Sequence, residues 1–322
     1  MKLLIVGGTR FVGRAITQAA LDTGHEVTLF NRGKSNAGLF PEAEKLVGDR
    51  DGGLDVLRGR KWDAVIDTSG YIPRHVRDSA ELLKGRVGRY LYISTTGVYD
   101  FDKTPNVNQK TPLHSDFPDT EEVTGESYGP LKAECDLIVQ DIYGDAATIV
   151  RPTVIVGPGD RTDRFTYWVE RFHAGGDIVC PPDPRREAAW VDVRDLTEWV
   201  IKLCERNQPG EFIASGPASP INHEQVMYGF RAFSAGPVRL HWPTRELLDE
   251  IGFNPPWFWS GEHSRHMDAS ASVAAGLTFR SLAESIRDTH EWWQMQSEER
   301  RNNTRRWPTA EQERAVLAKL QG

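Results

Sequence analysis

Residues 5–13 read IVGGTRFVG, and this stretch decides the fold. It completes a short run of apolar, branched residues at 2–6, which is typical of a buried parallel strand. A glycine turn follows at once. From Phe11 the pattern is helical as far as Gly24, a residue type that favours a helix end. Strand, glycine turn and helix in this order predict a dinucleotide-binding unit.

The glycine spacing is G-x-x-G-x-x-G with one change, because Arg10 stands at the middle position between Gly7 and Gly13. Glycines here allow a tight turn, and the helix N-terminus offers N–H groups and partial positive charge to a pyrophosphate. The alternative is an ordinary turn between a strand and a helix. The expected nucleotide contacts of the turn are Gly7, Thr9, Arg10, Phe11, Val12 and Gly13.

The composition of the 322 residues indicates an ordinary globular protein, with 39% hydrophobic and 26% charged residues. A net charge of -7 argues against a nucleic-acid partner. No apolar run approaches the length of a membrane span, and a strand pattern from residue 2 leaves no room for a signal peptide. Three widely spaced cysteines and nine histidines without metal spacing predict a cytoplasmic protein with no metal site.

Further strands are predicted at 26–30, 45–49, 62–67 and 89–93, with helical segments between several of them. This alternation predicts an α/β fold with a Rossmann-type, doubly wound parallel sheet. Ligands bind such sheets beyond the carboxyl ends of the strands. We therefore expect Gly7, Arg32, Asp49 and Ser69, which follow four of these strands, to face one crevice.

The end of the second strand bears on cofactor choice. A carboxylate there would bind the ribose 2′-hydroxyl and favour NAD(H). This chain has Asn31 and Arg32 instead, and Arg10 is also available. Two guanidinium groups suit a 2′-phosphate, so the sequence favours NADP(H), with NAD(H) as the other candidate. The alternative is that Arg32 is a solvated loop residue.

A second motif carries chemistry. Tyr128 and Lys132 are four residues apart, which places both side chains on one face of a helix. Pro130 is tolerated only in a first helical turn, so Tyr128 is predicted at the helix start. A phenol is a poor base at neutral pH, and a nearby ammonium lowers the pKa of such a phenol. With a hydroxyl from the strand tip at Ser94 or Thr95, this set fits proton transfer coupled to hydride transfer.

These motifs together resemble the extended short-chain dehydrogenase/reductase superfamily, the branch of NAD-dependent epimerases and dehydratases. The resemblance extends over residues 1–293 and includes the segment 147–158, which contains Pro152. It implies that Thr95 is the catalytic hydroxyl, with Ser94 assisting, and that Tyr128 is the acid/base. It further implies that Lys132 binds the nicotinamide ribose and tunes Tyr128, and that Asp49 contacts the adenine.

Departures from the family pattern narrow what the resemblance implies. Arg10 and Asp100 stand where glycines are usual. The stretch GGTRFVG at 7–13, followed by NRG at 31–33, resembles an atypical subgroup that includes reductase-like proteins and chloroplast stem-loop RNA-associated proteins. Thr96 and Gly97 stand where dehydratases commonly carry an Asp-Glu pair, so dehydration is disfavoured. The resemblance thus implies an epimerase or reductase acting on a small secondary alcohol or ketone, such as a nucleotide sugar. The alternative is a non-catalytic NAD(P)-binding redox sensor or an RNA-associated protein.

The expected organisation is a dinucleotide-binding domain at 1–156, rejoined by 186–210, and a smaller substrate-binding lobe at 157–293. Residues 294–322 are expected to form a charged tail or docking helix, and a homodimer is a further expectation. Arg161, Arg164 and Tyr167 could contact an anionic substrate, or could belong to a surface helix with a buried Trp168. The aromatic stretch 255–259 and His263 could line a pocket or could be structural.

Overall fold

A computed structural model describes residues 1–101, 106–256, 266–305 and 307–321. Residues 257–259 and His263, considered above as pocket candidates, lie outside the described residues. Two units divide the chain. The first unit contains Met1–Thr153, Arg194–Ser215 and His266–Thr278, and the second contains Val154–Val193, Gly216–Arg265 and Phe279–Gly322.

The strands, in chain order, are β1 Lys2–Val6, β2 Glu26–Asn31, β3 Glu44–Val47, β4 Trp62–Asp67, β5 Val87–Ile93, β6 Asn106–Val107, β7 Ala147–Pro152, β8 Val154–Val156, β9 Gly176–Val179, β10 Glu187–Asp192, β11 Gly210–Ala214, β12 Gly216–Asn222, β13 Val238–His241 and β14 His266–Met267. The helices are α1 Phe11–Asp22, α2 Pro73–Leu83, α3 Tyr128–Tyr143, α4 Arg164–Ala174, α5 Val193–Glu205, α6 His223–Arg231, α7 Arg245–Ile251, α8 Ser270–Ala274, α9 Leu282–Gln294, α10 Glu298–Asn302 and α11 Ala310–Gln321. Short 3-10 turns occur at Asp55–Leu57, Thr96–Val98 and Gly144–Ala146.

The first unit is built on a seven-stranded sheet in the order β11-β7-β5-β4-β1-β2-β3. Every pairing in this sheet is parallel. The strand order reverses between β1 and β4, and the crevice beyond the carboxyl ends at such a point is where open α/β sheets bind ligands. The prediction of a doubly wound parallel sheet is confirmed.

Alternating side chains of the strands explain how this sheet is buried. Leu4, Val6, Val65, Tyr90 and Tyr92 point to one face, where the apolar sides of α2 and α3 pack on them. Burial on both faces requires nearly continuous apolar strands, as the sequence of β1 has. The polar residues at 54–58 are compatible with a helix in the sequence, but they form only the single 3-10 turn Asp55–Leu57, and Gly59 follows shortly after it.

The second unit has its own apolar core. Its strands form a three-stranded sheet, β12-β10-β8, and the pair β13-β9. Buried residues of α4, α6 and α9 pack together with those of β10, including Trp168, Phe172, Phe230, Trp190 and Ile286. Trp168 is fully buried, as the structural interpretation of this helix expected.

The C-terminal segment docks on the second unit. Asp163, at the start of α4, accepts hydrogen bonds from the side chain of Arg300 and from the backbone N–H of Arg305. Val316 of α11 is buried with Leu248. The tail therefore has a structural anchor at both α10 and α11.

Capping residues in the sequence mark several helix starts in the later part of the chain. Ser281 and Glu284 form a capping box on α9, and Thr309 and Gln312 exchange the same two bonds at the start of α11. Asp195 and Glu198 have the spacing of a capping pair in the sequence, but α5 begins two residues earlier, at Val193, so Asp195 lies in its first turn. Among the helices that the structure describes, none is long and apolar enough to cross a membrane.

Candidate active site

The turn between β1 and α1 has a backbone conformation that favours glycine. Gly7 has φ +110° and Gly8 has φ +86°, and both values lie in the left-handed region. A Cβ added to Gly13 would lie 2.8 Å from the amide nitrogen of Gly8, so the helix packs directly against the turn. Sequence reasoning selected Gly7 and Gly13 but missed Gly8, although the glycine pair was a signal for it.

The N-terminus of α1 offers a place for an anion. The helix begins at Phe11, so the N–H groups of Phe11, Val12 and Gly13 belong to a first turn that lacks intrahelical acceptors. Its N-cap residue, Arg10, makes no side-chain cap, and no acidic residue lies in the first turn. Nothing on the helix itself therefore competes with a bound pyrophosphate.

The loop after β2 is tied to this glycine turn. The Arg10 guanidinium is exposed and donates through Nε to the Ser35 hydroxyl at 3.0 Å. The Asn36 side chain donates to the carbonyl of Thr9 at 2.9 Å. These contacts place an arginine and a hydroxyl beside the turn, and Arg10 is directed to the loop that follows β2.

The end of β2 carries no carboxylate. The amide of Asn31 donates to the carbonyl of Gly7 at 2.9 Å and accepts from the backbone N–H of Gly33 at 2.9 Å. Asn31 is therefore a structural link between two loops. Arg32 is exposed, and its guanidinium has no hydrogen bond or ion pair to any residue that the structure describes. Asp49 is exposed beyond the end of β3.

Tyr128 and Thr95 both lie near Gly97. Tyr128 is the first residue of α3, as Pro130 predicted. A Cβ built on Gly97 would lie 3.5 Å from Thr95 Oγ1 and 3.7 Å from Tyr128 Cε1. Gly129 makes this approach possible, because a Cβ there would lie 2.4 Å from the carbonyl oxygen of Gly97. The strand-tip hydroxyl and the phenol ring are thus brought together by two glycines.

Lys132 lies one turn further along α3 and is 2% exposed. Its ammonium donates to the carbonyls of Gly70 at 2.8 Å and Ile93 at 2.9 Å, and to the hydroxyl of Tyr92. Burial lowers the pKa of Lys132 to about 8. The side chain is therefore a desolvated cation whose surroundings are supplied by the protein.

Tyr71 contacts both members of the helical motif. Its ring centre lies 6.3 Å from the ring centre of Tyr128 and 5.5 Å from Lys132 Nζ. These contacts agree with the prediction that Tyr128 and Lys132 share one face of α3. Tyr71 itself is 46% exposed, and sequence reasoning did not select it, since one aromatic residue after a strand carries no specific signal.

Ser94 is buried and its environment differs from that of Thr95. Its hydroxyl lies close to the carboxyl of Asp136 on α3. Burial raises the pKa of Asp136, against the opposing effects of Arg151 and Ser94. Arg151 on β7 donates to Asp136 at 2.8 Å and to the hydroxyl of Tyr99 at 2.9 Å. Ser94 is therefore part of a buried polar group on α3, β5 and β7.

A buried ion pair supports the tip of β4. Arg50 donates to both carboxylate oxygens of Asp67, at 2.7 and 2.6 Å, and Tyr90 donates to one of them at 2.8 Å. Burial alone would raise the pKa of Asp67, but the pair with Arg50 holds it below its usual value. The backbone N–H of Ser69 also donates to Asp67, at 3.1 Å. The pair therefore orders the start of the loop that follows β4.

Sequence reasoning missed Arg50, Asp67, Tyr92 and Arg151. Charged residues inside apolar strands, as in WDAVID and ATIVRP, were the available signal for two of them.

Ser69 and Pro152 lie at strand ends as expected. The hydroxyl of Ser69 donates to the carbonyl of Val6 at 3.3 Å, and the carbonyl of Pro152 accepts from Thr96 at 3.3 Å.

The three candidate substrate residues lie in the second unit. Tyr167 is 5% exposed and packs its ring against Trp168 and Trp307. Arg161 is exposed, and Arg164 is half-buried and donates to the Thr162 hydroxyl at 3.1 Å. Only the two arginines of this set have side chains with substantial solvent access. Within the described part of the chain, no three His, Cys, Asp or Glu residues are placed to share a metal ion.

Comparison with known proteins identifies the family. The family model of the NAD dependent epimerase/dehydratase family matches residues 3–214. A curated relative, the chloroplast stem-loop binding protein of 41 kDa b from Arabidopsis thaliana, is 29% identical over 226 residues. That match covers 63% of this chain and 54% of the relative, so the chain spans about half the length of the curated protein.

Solved structures have the same fold at low sequence identity. A dTDP-glucose 4,6-dehydratase from Bacillus anthracis, in complex with NAD, has a TM-score of 0.69 and 16% identity over 93% of this chain and 98% of its own. A UDP-glucuronic acid 4-epimerase from Bacillus cereus, also with NAD, has a TM-score of 0.65 and 14% identity over 91% and 96%. The resemblance noted from the motifs is confirmed, and the chain belongs to the NAD-dependent epimerase/dehydratase family.

Proposed function

We propose that this protein is an NAD(P)-dependent oxidoreductase or epimerase that acts on a secondary alcohol or ketone through Tyr128. The observation that carries the proposal is the site on the first unit, where the ring of Tyr128 and the hydroxyl of Thr95 both lie near Gly97. A buried cation, Lys132, lies one helical turn away. A protein that only bound a dinucleotide would have no need of such an acid/base arrangement.

The residues at the glycine turn fit a dinucleotide. Left-handed backbone at Gly7 and Gly8 and the missing side chain at Gly13 let the start of α1 pack directly on the turn, as a dinucleotide-binding turn requires. The first turn of α1 supplies N–H donors for the pyrophosphate. Gly7, Gly13 and the backbone of Thr9–Gly13 are the proposed contacts, with Asp49 and Ser69 as proposed contacts beyond β3 and β4.

The proposed chemistry divides between cofactor and protein. A bound nicotinamide supplies the hydride acceptor or donor. Tyr128 takes the proton of the substrate hydroxyl during oxidation and returns it during reduction. Thr95 hydrogen-bonds to the same substrate oxygen and holds it near the phenol. The positive charge of Lys132 favours the phenolate form of Tyr128, and Ser94 supports the strand tip from the buried side.

We propose NADP(H) as the preferred cofactor, with NAD(H) as the competing one. The residue at the end of β2 is Asn31, so no carboxylate is present there for a ribose 2′-hydroxyl. The side chain of Asn31 is itself hydrogen-bonded to two backbone groups. Arg32 and Arg10 are exposed cations on the adjacent loops and suit a 2′-phosphate. The two structural relatives described above were crystallised with NAD, so this preference is a proposal about the residues of this chain.

The proposed substrate class is a nucleotide sugar or a similar small molecule with a secondary hydroxyl or a ketone. Arg161 and Arg164 of the second unit stay predicted contacts for its anionic group, and Tyr167, which is packed in the core, is the weakest member of that set. An epimerase keeps its cofactor through the cycle, whereas a reductase releases it. A cytoplasmic location and a homodimer stay predictions.

Two measurements test the proposal. Nucleotide released from the denatured protein is identified first: retained NAD would favour an epimerase, and an empty site that takes up NADPH would favour a reductase. Turnover of UDP-glucose, UDP-glucuronate and dTDP-glucose is then compared for wild type, Tyr128→Phe and the control Tyr228→Phe, whose side chain is exposed on α6. We expect Tyr128→Phe alone to lose activity while NADPH binding is retained, and near wild-type turnover would overturn the assignment.

A second candidate function is RNA binding, which is favoured by the name of the curated relative. The net charge of -7 argues against it. A gel-shift assay with a stem-loop RNA at increasing salt would distinguish the two, because phosphate contacts weaken steeply with salt. A salt-sensitive shift, together with no turnover that depends on Tyr128, would favour the RNA-associated alternative.

A further inference from the structure

Asp163 stands in the sequence between Arg161 and Arg164, the two arginines proposed as contacts for an anionic substrate. Its side chain is 0% exposed, and its backbone has φ +58°, which lies in the left-handed region. Such a backbone is unfavourable for a residue with a Cβ and persists where the surrounding structure holds it. Asp163 is the N-cap residue of α4, but its side chain makes no cap hydrogen bond, so the carboxylate is used elsewhere.

The partners of this carboxylate come from the C-terminal tail. The guanidinium of Arg300 on α10 donates to Oδ1 of Asp163, and the backbone N–H of Arg305 donates to Oδ2 at 2.9 Å. The indole N–H of Trp307 donates to the carbonyl oxygen of Asp163 at 3.3 Å. Three groups of the tail therefore hold one buried residue at the start of α4, by its side chain and by its backbone.

The tail also contacts α4 further along the helix. The ring centre of Trp307 lies 5.6 Å from the ring centre of Tyr167. Arg171, in the last turn of α4, donates through Nε to both carboxylate oxygens of Glu313 on α11, at 2.9 Å each. Both side chains of this ion pair are half-buried, so solvent screens it less than a surface pair. The tail therefore fixes α4 at its start, its middle and its end.

The loop before α4 orients the two arginines. Asp160 is buried, and its carboxylate accepts from the backbone N–H and the hydroxyl of Thr162, at 2.8 Å each. The same hydroxyl accepts from Nε of Arg164 at 3.1 Å. Arg161 precedes Asp163 and Arg164 follows it, so a change of backbone conformation at Asp163 would turn one arginine relative to the other. The geometry of the two arginines therefore depends on what holds Asp163.

We propose that the C-terminal tail positions Arg161 and Arg164 to bind the diphosphate of a nucleotide sugar, and that Asp163 is the positioning residue through which the tail acts. This inference rests on the proposed function. Guanidinium groups bind phosphate oxygens through paired N–H donors, so the two arginines must be held in one arrangement. A buried carboxylate repels a phosphate, so the role of Asp163 is to hold the loop and not to contact the anion.

The first experiment measures UDP binding by isothermal titration calorimetry for wild type, Asp163→Asn and Arg300→Met. Asparagine has a similar size and tolerates left-handed backbone, but it cannot form an ion pair with Arg300. We expect both variants to bind UDP at least about fivefold more weakly, because the loop loses its anchor. A direct effect of charge on the anion would act differently, since removal of the negative charge in Asp163→Asn would then strengthen binding.

The control is Arg301→Met, because Arg301 is an exposed arginine that donates to the side chain of Gln294 at 3.2 Å. This variant removes the same charge one residue from Arg300 and leaves Asp163 paired. We expect its UDP affinity to stay within about twofold of wild type. NADPH affinity should stay within about twofold in all variants, because the glycine turn belongs to the first unit. Unchanged UDP affinity in Arg300→Met, or tighter binding in Asp163→Asn, would overturn the inference.

The second experiment needs no ligand. Hydrogen–deuterium exchange of a peptide that spans residues 157–167 is followed by mass spectrometry in wild type, Arg300→Met and Arg301→Met. Backbone amides exchange through local opening, so loss of the anchor should speed exchange in this peptide. We expect exchange to be about tenfold faster in Arg300→Met and unchanged in Arg301→Met.

The outcomes separate the claims. Equal exchange in the three proteins would mean that the tail does not hold the loop, and would overturn the inference whichever ligand binds. Faster exchange with unchanged UDP affinity would make the tail a stabilising segment only, and would also overturn it. If wild type binds NADPH but not UDP, the inference is wrong while the oxidoreductase assignment stands. If wild type binds neither NADPH nor NADH, the proposed function is wrong, and the inference is overturned with it. Circular dichroism and thermal unfolding establish that each variant is folded.

Discussion

The two sides of the parallel sheet, meaning the half with β1 and β2 and the half with β4 and β5, differ in how exposed their cations are. Beyond β1 and β2, Arg10 and Arg32 are exposed, and Arg32 has no partner among the described residues. On the side of β4 and β5, Arg50 and Lys132 are buried and every donor of Lys132 is used by protein. A buried cation that is paired within the protein supports the fold around it, whereas an exposed one is open to solvent and to a ligand.

The largest effect on stability is expected from removal of Asp67, the acidic partner of the buried ion pair with Arg50. In Asp67→Ala, Arg50 keeps its charge without a carboxylate, and Tyr90 and the backbone of Ser69 each lose an acceptor. Removal of one partner of a buried pair costs about 3–5 kcal/mol of the free energy of unfolding. Urea unfolding followed by circular dichroism measures this loss.

The control for that prediction is the double variant Arg50→Met with Asp67→Leu, which removes both charges and keeps apolar volume. We expect it to recover most of the lost stability. A single variant that loses less than about 1 kcal/mol would mean that water reaches Arg50 and that the two sides of the sheet do not differ as described.

A smaller effect follows from the charge of Lys132. Its pKa is about 8 in the folded protein because of burial, against an ordinary value of 10.5. Between these values the unfolded chain binds more protons, so stability rises with pH across this window, by about 3 kcal/mol at most. The charged or titratable groups that face Lys132 are Cys135, Asp136, Asp67, Arg50, Tyr71 and Tyr92.

The measurement is the difference in unfolding free energy between wild type and Lys132→Met at several pH values from 7 to 11, an interval set around the two pKa values. The subtraction removes the titration of groups that do not contact Lys132. We expect wild type to gain stability relative to the variant between about pH 8 and 10.5. A flat difference would mean that Lys132 is not desolvated.

The next effect tests the packing around the ammonium of Lys132. In Gly70→Ala the new methyl group meets Tyr92 and Val76 at 2.6 and 2.8 Å, and such overpacking costs about 1–3 kcal/mol. Gly38→Ala is the control, because no atom lies within 4 Å of a Cβ built there. Thermal unfolding compares them. Equal stability of the two variants would show that the tyrosine can move aside at little cost.

The sequence predicted the parts of this site that depend on local pattern. The run KLLIV and the glycines after it located β1 and α1, and Pro130 located the start of α3 at Tyr128. Local pattern could not find the partner of Lys132, because Tyr92 is forty residues earlier and the alternation of β5 indicates burial without naming a neighbour. The same holds for Arg50, which looked like part of a loop.

The second unit was harder to predict for a related reason. The described residues between 210 and 275 alternate between short strands and short helices, and part of this range, Gly210–Ser215 and His266–Ala275, belongs to the first unit. β11 joins the parallel sheet beside β7, a pairing between segments about sixty residues apart. Hydrophobic periodicity marks such a strand but does not assign it to a sheet.

The smallest effect is expected on the exposed side of the comparison. Arg32→Ala removes an exposed cation that has no hydrogen bond or ion pair to a described residue, so the free energy of unfolding should stay within about 0.5 kcal/mol of wild type. NADPH binding should weaken by about tenfold, because a charge-assisted contact to the 2′-phosphate is lost, while NADH binding is unchanged. Arg14→Ala is the control, since Arg14 is an exposed arginine on α1. An equal loss of affinity for both nucleotides would mean that Arg32 attracts the nucleotide by its charge without contacting the 2′-phosphate. No loss for either nucleotide would make Arg32 a solvated loop residue and remove the basis for preferring NADP(H).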